Sequence, residues 1–159
     1  MWKKNYPLML EAMTQQPEST LLIAGDGPDA AQLRQLAPRN VRFLGSRSDV
    51  PALMSAADGF VLSSTVEGLP TVLIEAAASG LPCAATDVGG VREAVRDGVT
   101  GYVTPAGDAG ALAIGMIRVA STPREEMSRA AREFAVAHFD LAVVADQWER
   151  LYRELYGRN

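Results

Sequence analysis

Glu67 and Glu75 stand with seven residues between them in the string EGLPTVLIEAAASGLP. The residues around them have chemical uses. Gly68 lets backbone approach a ligand closely. Pro70 suits the first position of a helix. The free N–H groups of Thr71 and Val72 would then point outward and, with the helix dipole, favour an anion such as a diphosphate. Glu75 falls within that helix, among Val72, Leu73, Ile74, Ala76, Ala77 and Ala78. A helix apolar nearly all round is normally buried. An ionised carboxylate inside it is costly unless paired or hydrogen-bonded. Thr71 lies one turn earlier on the same face. Glu75 is therefore expected to look toward the ligand end of the helix and accept hydrogen bonds from sugar hydroxyls. The alternative is a structural carboxylate that holds a backbone amide or an arginine.

Three other segments carry similar loop chemistry: Gly25-Asp26-Gly27-Pro28, Gly45-Ser46-Arg47 and Thr86-Asp87-Val88-Gly89-Gly90. Each follows a short apolar run. The periodicity predicts strands over 20–24, 41–44, 59–62, 82–85 and 101–104. It predicts helices over 6–15, 28–37, 49–57, 70–79, 91–95, 109–120, 124–137 and 141–156, with Pro28 in a first turn and Asp49 as a cap. This βαβα alternation with short connections argues for an α/β architecture, a doubly wound parallel sheet with helices on both faces. In such sheets ligands bind beyond the carboxyl ends of the strands. The loop from Ser63 to Pro70 and the three segments above would then share one edge. The pattern opens on a helix, whereas the doubly wound fold opens on a strand. The expectation is a sheet lacking its first strand.

Composition narrows the field. The 159 residues favour one domain, 1–159, with a full core. The net charge of −4 and the absence of like-charge runs argue against a nucleic-acid surface. With one cysteine, Cys83, no internal disulfide and no cluster of cysteine metal ligands can form. The apolar runs fall short of the roughly 20 residues of a membrane span, and the N-terminus lacks a signal-peptide pattern. A cytoplasmic location is expected, with peripheral membrane attachment in a longer protein as a variant of it.

The ordered strings carry a resemblance. The two glutamates match the E-x-x-x-x-x-x-x-E signature of retaining glycosyltransferases, especially family 4 or group 1, of the GT-B fold. IAGDGP, VRFLGSRSDVPALMSAAD, VLSSTVEGLP, ATDVGGVREAVRDGVTGYVTP and the W-x-x-x-Y of Trp148 and Tyr152 resemble that family's C-terminal, nucleotide-sugar-binding domain, which is Rossmann-like, along nearly the whole chain. The resemblance implies that Glu75 binds the nucleotide ribose. It implies that Glu67, the catalytic candidate, contacts the donor sugar and stabilises charge as the glycosidic bond breaks. Gly68, Leu69, Pro70 and Thr71 would hold sugar and phosphate, and Gly45 to Arg47 would border the base. Lys4 would pair with the diphosphate. Gly25, Gly27 and Ser63, in the strand-end loops, complete the expected donor-binding set. The donor would be a UDP-, GDP- or ADP-sugar, and no metal or other cofactor is expected. The acceptor, whether glycan, lipid or small molecule, is not implied. The family's partner arginine and its preceding strand lie before Lys4, and its acceptor-binding domain precedes both. The 159 residues alone are therefore expected not to transfer sugar.

Other readings stand beside this one. Gly25-Asp26-Gly27-Pro28-Asp29-Ala30 matches the G-x-G-x-x-A of a NAD(P)-binding module. The acid normally about 20 positions on is missing at the next strand end, where Arg47 could take the extra phosphate of NADP. A sugar-nucleotide epimerase shares the GT-B architecture, and a scaffold could keep the fold without activity. His138 reads as a helix-terminal residue, Cys83 as buried packing and Asp26 as a turn residue or a donor contact. Asp87 and Glu93 read as loop and cap residues or as site residues. The face of Leu141, Val144, Ala145, Trp148, Leu151 and Leu155 reads most simply as packing; the resemblance implies that this region runs back toward the family's N-terminal domain, so that some of the face would be exposed in these 159 residues.

Overall fold

The computed structural model describes residues 3–157. Among them helices and strands alternate as the periodicity predicts. Helix α1 (Tyr6–Thr14) leads to β1 (Leu21–Ala24), α2 (Ala30–Leu36), β2 (Val41–Gly45) and α3 (Val50–Ala56). Then come β3 (Phe60–Leu62), α4 (Thr71–Ala78), β4 (Cys83–Thr86), α5 (Val91–Ala94) and β5 (Gly101–Thr104). Helices α6 (Ala109–Ser121), α7 (Arg124–Phe139) and α8 (Leu141–Tyr156) close the chain.

All the strand pairs are parallel. They form two sheets, β1-β2 and β3-β4-β5, and β1 does not pair with β3. Among the described residues the sheet is thus divided. Helix α1 spans the division. Leu10 packs with Ile23 and Leu33 beside β1 and β2, while Leu8 and Ala12 pack with Ala84, Leu112 and Ala113 of the other sheet and α6. Gln16, just after α1, donates from its amide to the Ala113 carbonyl on α6. Asn40 donates to the carbonyls of Met13 (3.1 Å) and Gln16 (2.8 Å). These bonds tie α1 and the turn after it to α6 on one side and to the start of β2 on the other.

Strand β4, Cys-Ala-Ala-Thr, is buried along its whole length at the centre of its sheet. Side chains alternate across a strand. Ala84 accordingly faces α6, and Cys83 and Ala85 face the cluster of Leu73, Val91, Ala94 and Val95. This two-sided cover is the physical content of the doubly wound pattern. Small residues let α6 sit close to the sheet: a Cβ added at Gly115 would lie 2.8 Å from the Thr104 Cγ2 and 3.4 Å from the Ala84 Cβ. Helix α7 packs on α4 along a seam of Ala77, Ala131 and Ala135, where the Arg132 guanidinium caps the end of α4 by donating to the Ala78 carbonyl.

Four local expectations are corrected. Helix α2 starts at Ala30, so Pro28 belongs to the preceding turn and not to the helix. Asp49 stands in the cap position of α3 without capping it. Its carboxylate instead takes two hydrogen bonds from Arg47, at 2.8 and 2.6 Å, a charge-assisted fork. Pro70 is the residue before α4, with extended backbone, and α4 begins at Thr71. Of the two readings of the apolar face of α8, packing fails and exposure holds: no residue of α8 is buried, and Trp148, Leu151, Tyr152 and Leu155 lie exposed. Asp140 caps α8 through the Ala142 N–H.

Candidate functional site

The segment before α1 is tied to the end of β3. The Thr65 N–H donates to the Lys3 carbonyl at 2.8 Å. The Ser63 hydroxyl, 1% exposed, donates to the Lys4 carbonyl at 2.8 Å, with the Asn5 carbonyl 3.1 Å away. Asn5 turns the chain into α1 through a left-handed conformation, φ 46°, which asparagine tolerates better than most residues. Lys4 is thereby set against Glu67, 63 positions away, with its Nζ 2.7 Å from Oε1. The Ser64 hydroxyl donates to the same oxygen at 2.6 Å. The Glu67 side chain is 13% exposed and that of Lys4 53%. Burial works to raise the pKa of Glu67. The hydrogen bonds from Lys4 and Ser64 and the lysine charge together outweigh it, and the carboxyl is held below the ordinary glutamate range.

A second loop locks the first. The Gly90 N–H donates to the Gly68 carbonyl at 2.7 Å. Gly89 has φ 51°, and a Cβ there would lie 1.8 Å from the Glu67 carbonyl oxygen. Only glycine accommodates both the conformation and the approach. The Thr86 hydroxyl, fully buried, donates to the Ser64 carbonyl at 2.7 Å. The Asp87 N–H donates to the Thr104 carbonyl at 2.8 Å, and its carboxylate receives Arg92 at 2.7 Å. Asp87 is thus a loop-holding residue. Glu93 is exposed in the short α5.

Helix α4 is not buried all round, which corrects the expectation for Glu75. Leu73, Ala76 and Ala77 are buried, whereas Thr71 and Glu75 share an exposed side. Packing on the sheet and on α7 takes two sides of the helix and leaves the third open. Glu75 therefore carries no burial penalty. The expected juxtaposition with Thr71 holds, and no described residue hydrogen-bonds its carboxylate. Helix α4 has no side-chain cap, so the N–H groups of Thr71 and Val72 lack intrahelical partners. Gly68 and Leu69 are exposed beside them, and Pro70 is buried.

The loops after β1 and β2 form a second group. The Gly25 N–H donates to the Gly45 carbonyl at 2.7 Å, and both glycines have positive φ. Asp26 is a turn residue, accepting from the Gly27 N–H at 2.8 Å. Arg47 is exposed and engaged by Asp49. Among the described residues no three His, Cys, Asp or Glu side chains gather as metal ligands. His138 lies at the end of α7, its ring 4.7 Å from that of Phe134 and its Nε2 3.3 Å from Arg96. Cys83 is buried, and burial pushes its thiol up to about 12. The sequence put the loops of Ser64 and of Thr86, Gly89 and Gly90 on the site's edge but gave none of these residues a contact or a role. The paired glycines after β4 were a visible signal, but which loop they meet is a tertiary fact.

Comparison with known proteins bears on this arrangement. The profile of the family described as glycosyl transferases group 1 matches residues 1–122. The N-acetyl-alpha-D-glucosaminyl L-malate synthase of Bacillus anthracis is 32% identical, over 87% of this chain and 38% of its own length. The phosphatidyl-myo-inositol mannosyltransferase of Mycobacterium tuberculosis is 35% identical, over 98% and 45%. Among solved structures, the Anabaena protein HepE in complex with UDP superposes with a TM-score of 0.86 at 29% identity, over 96% of this chain and 46% of that one. HepE is also known in complex with UDP-glucose, at a TM-score of 0.84. The chain spans less than half the length of the curated relatives it matches. These likenesses favour neither the epimerase nor the dinucleotide reading.

Proposed function

We propose that this chain, which belongs to the group 1 glycosyl transferases, is a donor-binding domain that holds a nucleotide-sugar for a retaining transfer. The observation that carries this reading is the meeting of Lys4 and Glu67 at 2.7 Å beside the uncapped start of α4. A cation, a carboxylate and free backbone N–H groups at one place suit a diphosphate joined to a sugar.

In this reading Gly68, Leu69, Pro70 and Thr71 lie against the sugar and the phosphates, their N–H groups where the chain has them. Lys4 swings from Glu67 to the diphosphate. As the glycosidic bond breaks, the bonding pair leaves with the diphosphate, and positive charge develops on the sugar. Lys4 and the N–H groups stabilise the leaving anion, a preorganised electrostatic effect. Glu67 offsets the charge on the sugar. Glu75 accepts from the ribose hydroxyls, and Gly25, Gly27, Gly45 and Arg47 border the base. Ser63 acts through Lys4, whose carbonyl it holds. No metal is needed, because Lys4 and the amides carry the charge. The acceptor is held by a part of the enzyme other than residues 1–159.

The likeness to proteins solved with UDP and UDP-glucose supports a pyrimidine donor as the first to try. A thermal-shift panel of UDP, GDP, ADP and their sugars tests the reading. A ligand at 100 times its Kd stabilises the fold by about 2.7 kcal/mol, so the preferred base is expected to give the largest shift. No shift with any of them would refute donor binding. Glu75→Gln is expected to weaken that ligand, and unchanged affinity would remove the ribose assignment.

A further inference from the structure

Glu67 is gripped by two donors of different character. Lys4 is half exposed on a long flexible stem, and in the proposed reaction it turns to the diphosphate. Ser64 is 1% exposed and stays where it is. Both donate to Oε1, and no described residue hydrogen-bonds Oε2. Ser64 is itself fixed: its carbonyl accepts from the buried Thr86 hydroxyl at 2.7 Å, and Thr86 sits at the end of the central strand β4. A chain of contacts therefore runs from the most buried strand through Thr86 and Ser64 to one oxygen of the carboxylate.

We propose that Ser64, held by Thr86, is a positioning residue that keeps the Glu67 carboxylate in place after Lys4 has left it, so that Oε2 meets the donor sugar. This rests on the donor-site reading above and adds a division of labour to it. Lys4 serves the diphosphate, while the Thr86–Ser64 pair serves the sugar. The pair should then govern affinity for the sugar moiety and leave the nucleotide alone. A merely structural role would weaken both or neither.

The test measures the affinity of the 159-residue chain for UDP and UDP-glucose by calorimetry, with GDP and GDP-mannose as a parallel pair. Ser64→Ala is expected to weaken the nucleotide-sugar about tenfold, the scale of one hydrogen bond to a charged group, and to change the free nucleotide by less than twofold. Glu67→Gln should show the same sugar-specific loss, and the double variant should be no weaker than Glu67→Gln alone, since both act on one contact. The Glu67 carboxyl, followed by carbon NMR against pH, should titrate higher in Ser64→Ala. Thr86→Val keeps the Ser64 hydroxyl and should give a smaller loss of the same kind. It decides the matter if Ser64→Ala fails to fold. Equal weakening of nucleotide and nucleotide-sugar, or no weakening of either, overturns the positioning role while leaving the donor site standing. A wild-type chain that binds neither pair, nor ADP and ADP-glucose, at millimolar concentration overturns the donor reading and this inference with it.

Discussion

At the scale of single residues, the site depends on contacts between parts of the chain far apart in sequence. Glu67 receives Lys4 from 63 positions away, and its backbone meets Gly89 of the next loop. Gly89→Ala would need a left-handed alanine and a shift of the Glu67 carbonyl. It is expected to cost about 2 kcal/mol, read as a lower urea midpoint, with weaker nucleotide-sugar binding in the surviving fold. An unchanged midpoint would show that the loop gives way freely. The depressed pKa of Glu67 fixes a pH dependence. Because the folded value lies below the unfolded one, near 4.3, the contacts from Lys4 and Ser64 stabilise the fold fully above that value. Their contribution is lost as pH falls through the folded value. The Tm difference between the wild type and Glu67→Gln should therefore shrink on acidification below about pH 4. A difference that grows there would reverse the assigned sign.

At the scale of elements, burial distinguishes helices that the sequence pattern makes look alike. Helices α7 and α8 are both amphipathic and of equal length. Helix α7 meets α4 along Ala77, Ala131 and Ala135, whereas α8 buries nothing. Ala131→Leu should overpack the seam and cost about 2 kcal/mol. Leu155→Ser, on the exposed face, should change stability by less than about 0.5 kcal/mol. Paired denaturant melts check both, and a large loss from Leu155→Ser would mean that α8 packs in solution. The α4 helix teaches the same lesson. Its composition reads as apolar all round, yet Thr71 and Glu75 share an open side because its two packing partners cover only the rest.

At the scale of the whole molecule, the sheet is in two parts joined through α1, Gln16 and Asn40. Relatives are more than twice as long as the matched region, and the acceptor side of a transfer is proposed to lie in the rest. Purified 159-residue chain, supplied with donor and a range of acceptors, is expected to show no sustained transfer, and measurable turnover would refute that. The sequence by itself determined the alternation of strands and helices, the loop glycines and the two glutamates. Period-two and period-3.6 patterns are local and survive being read along a line. Only the tertiary structure decided that Lys4 and Ser64 share one oxygen of Glu67, that Gly89 and Gly90 lock its backbone, and that Glu75 is exposed. Those facts depend on which surfaces meet, and packing between distant segments leaves no period in the chain.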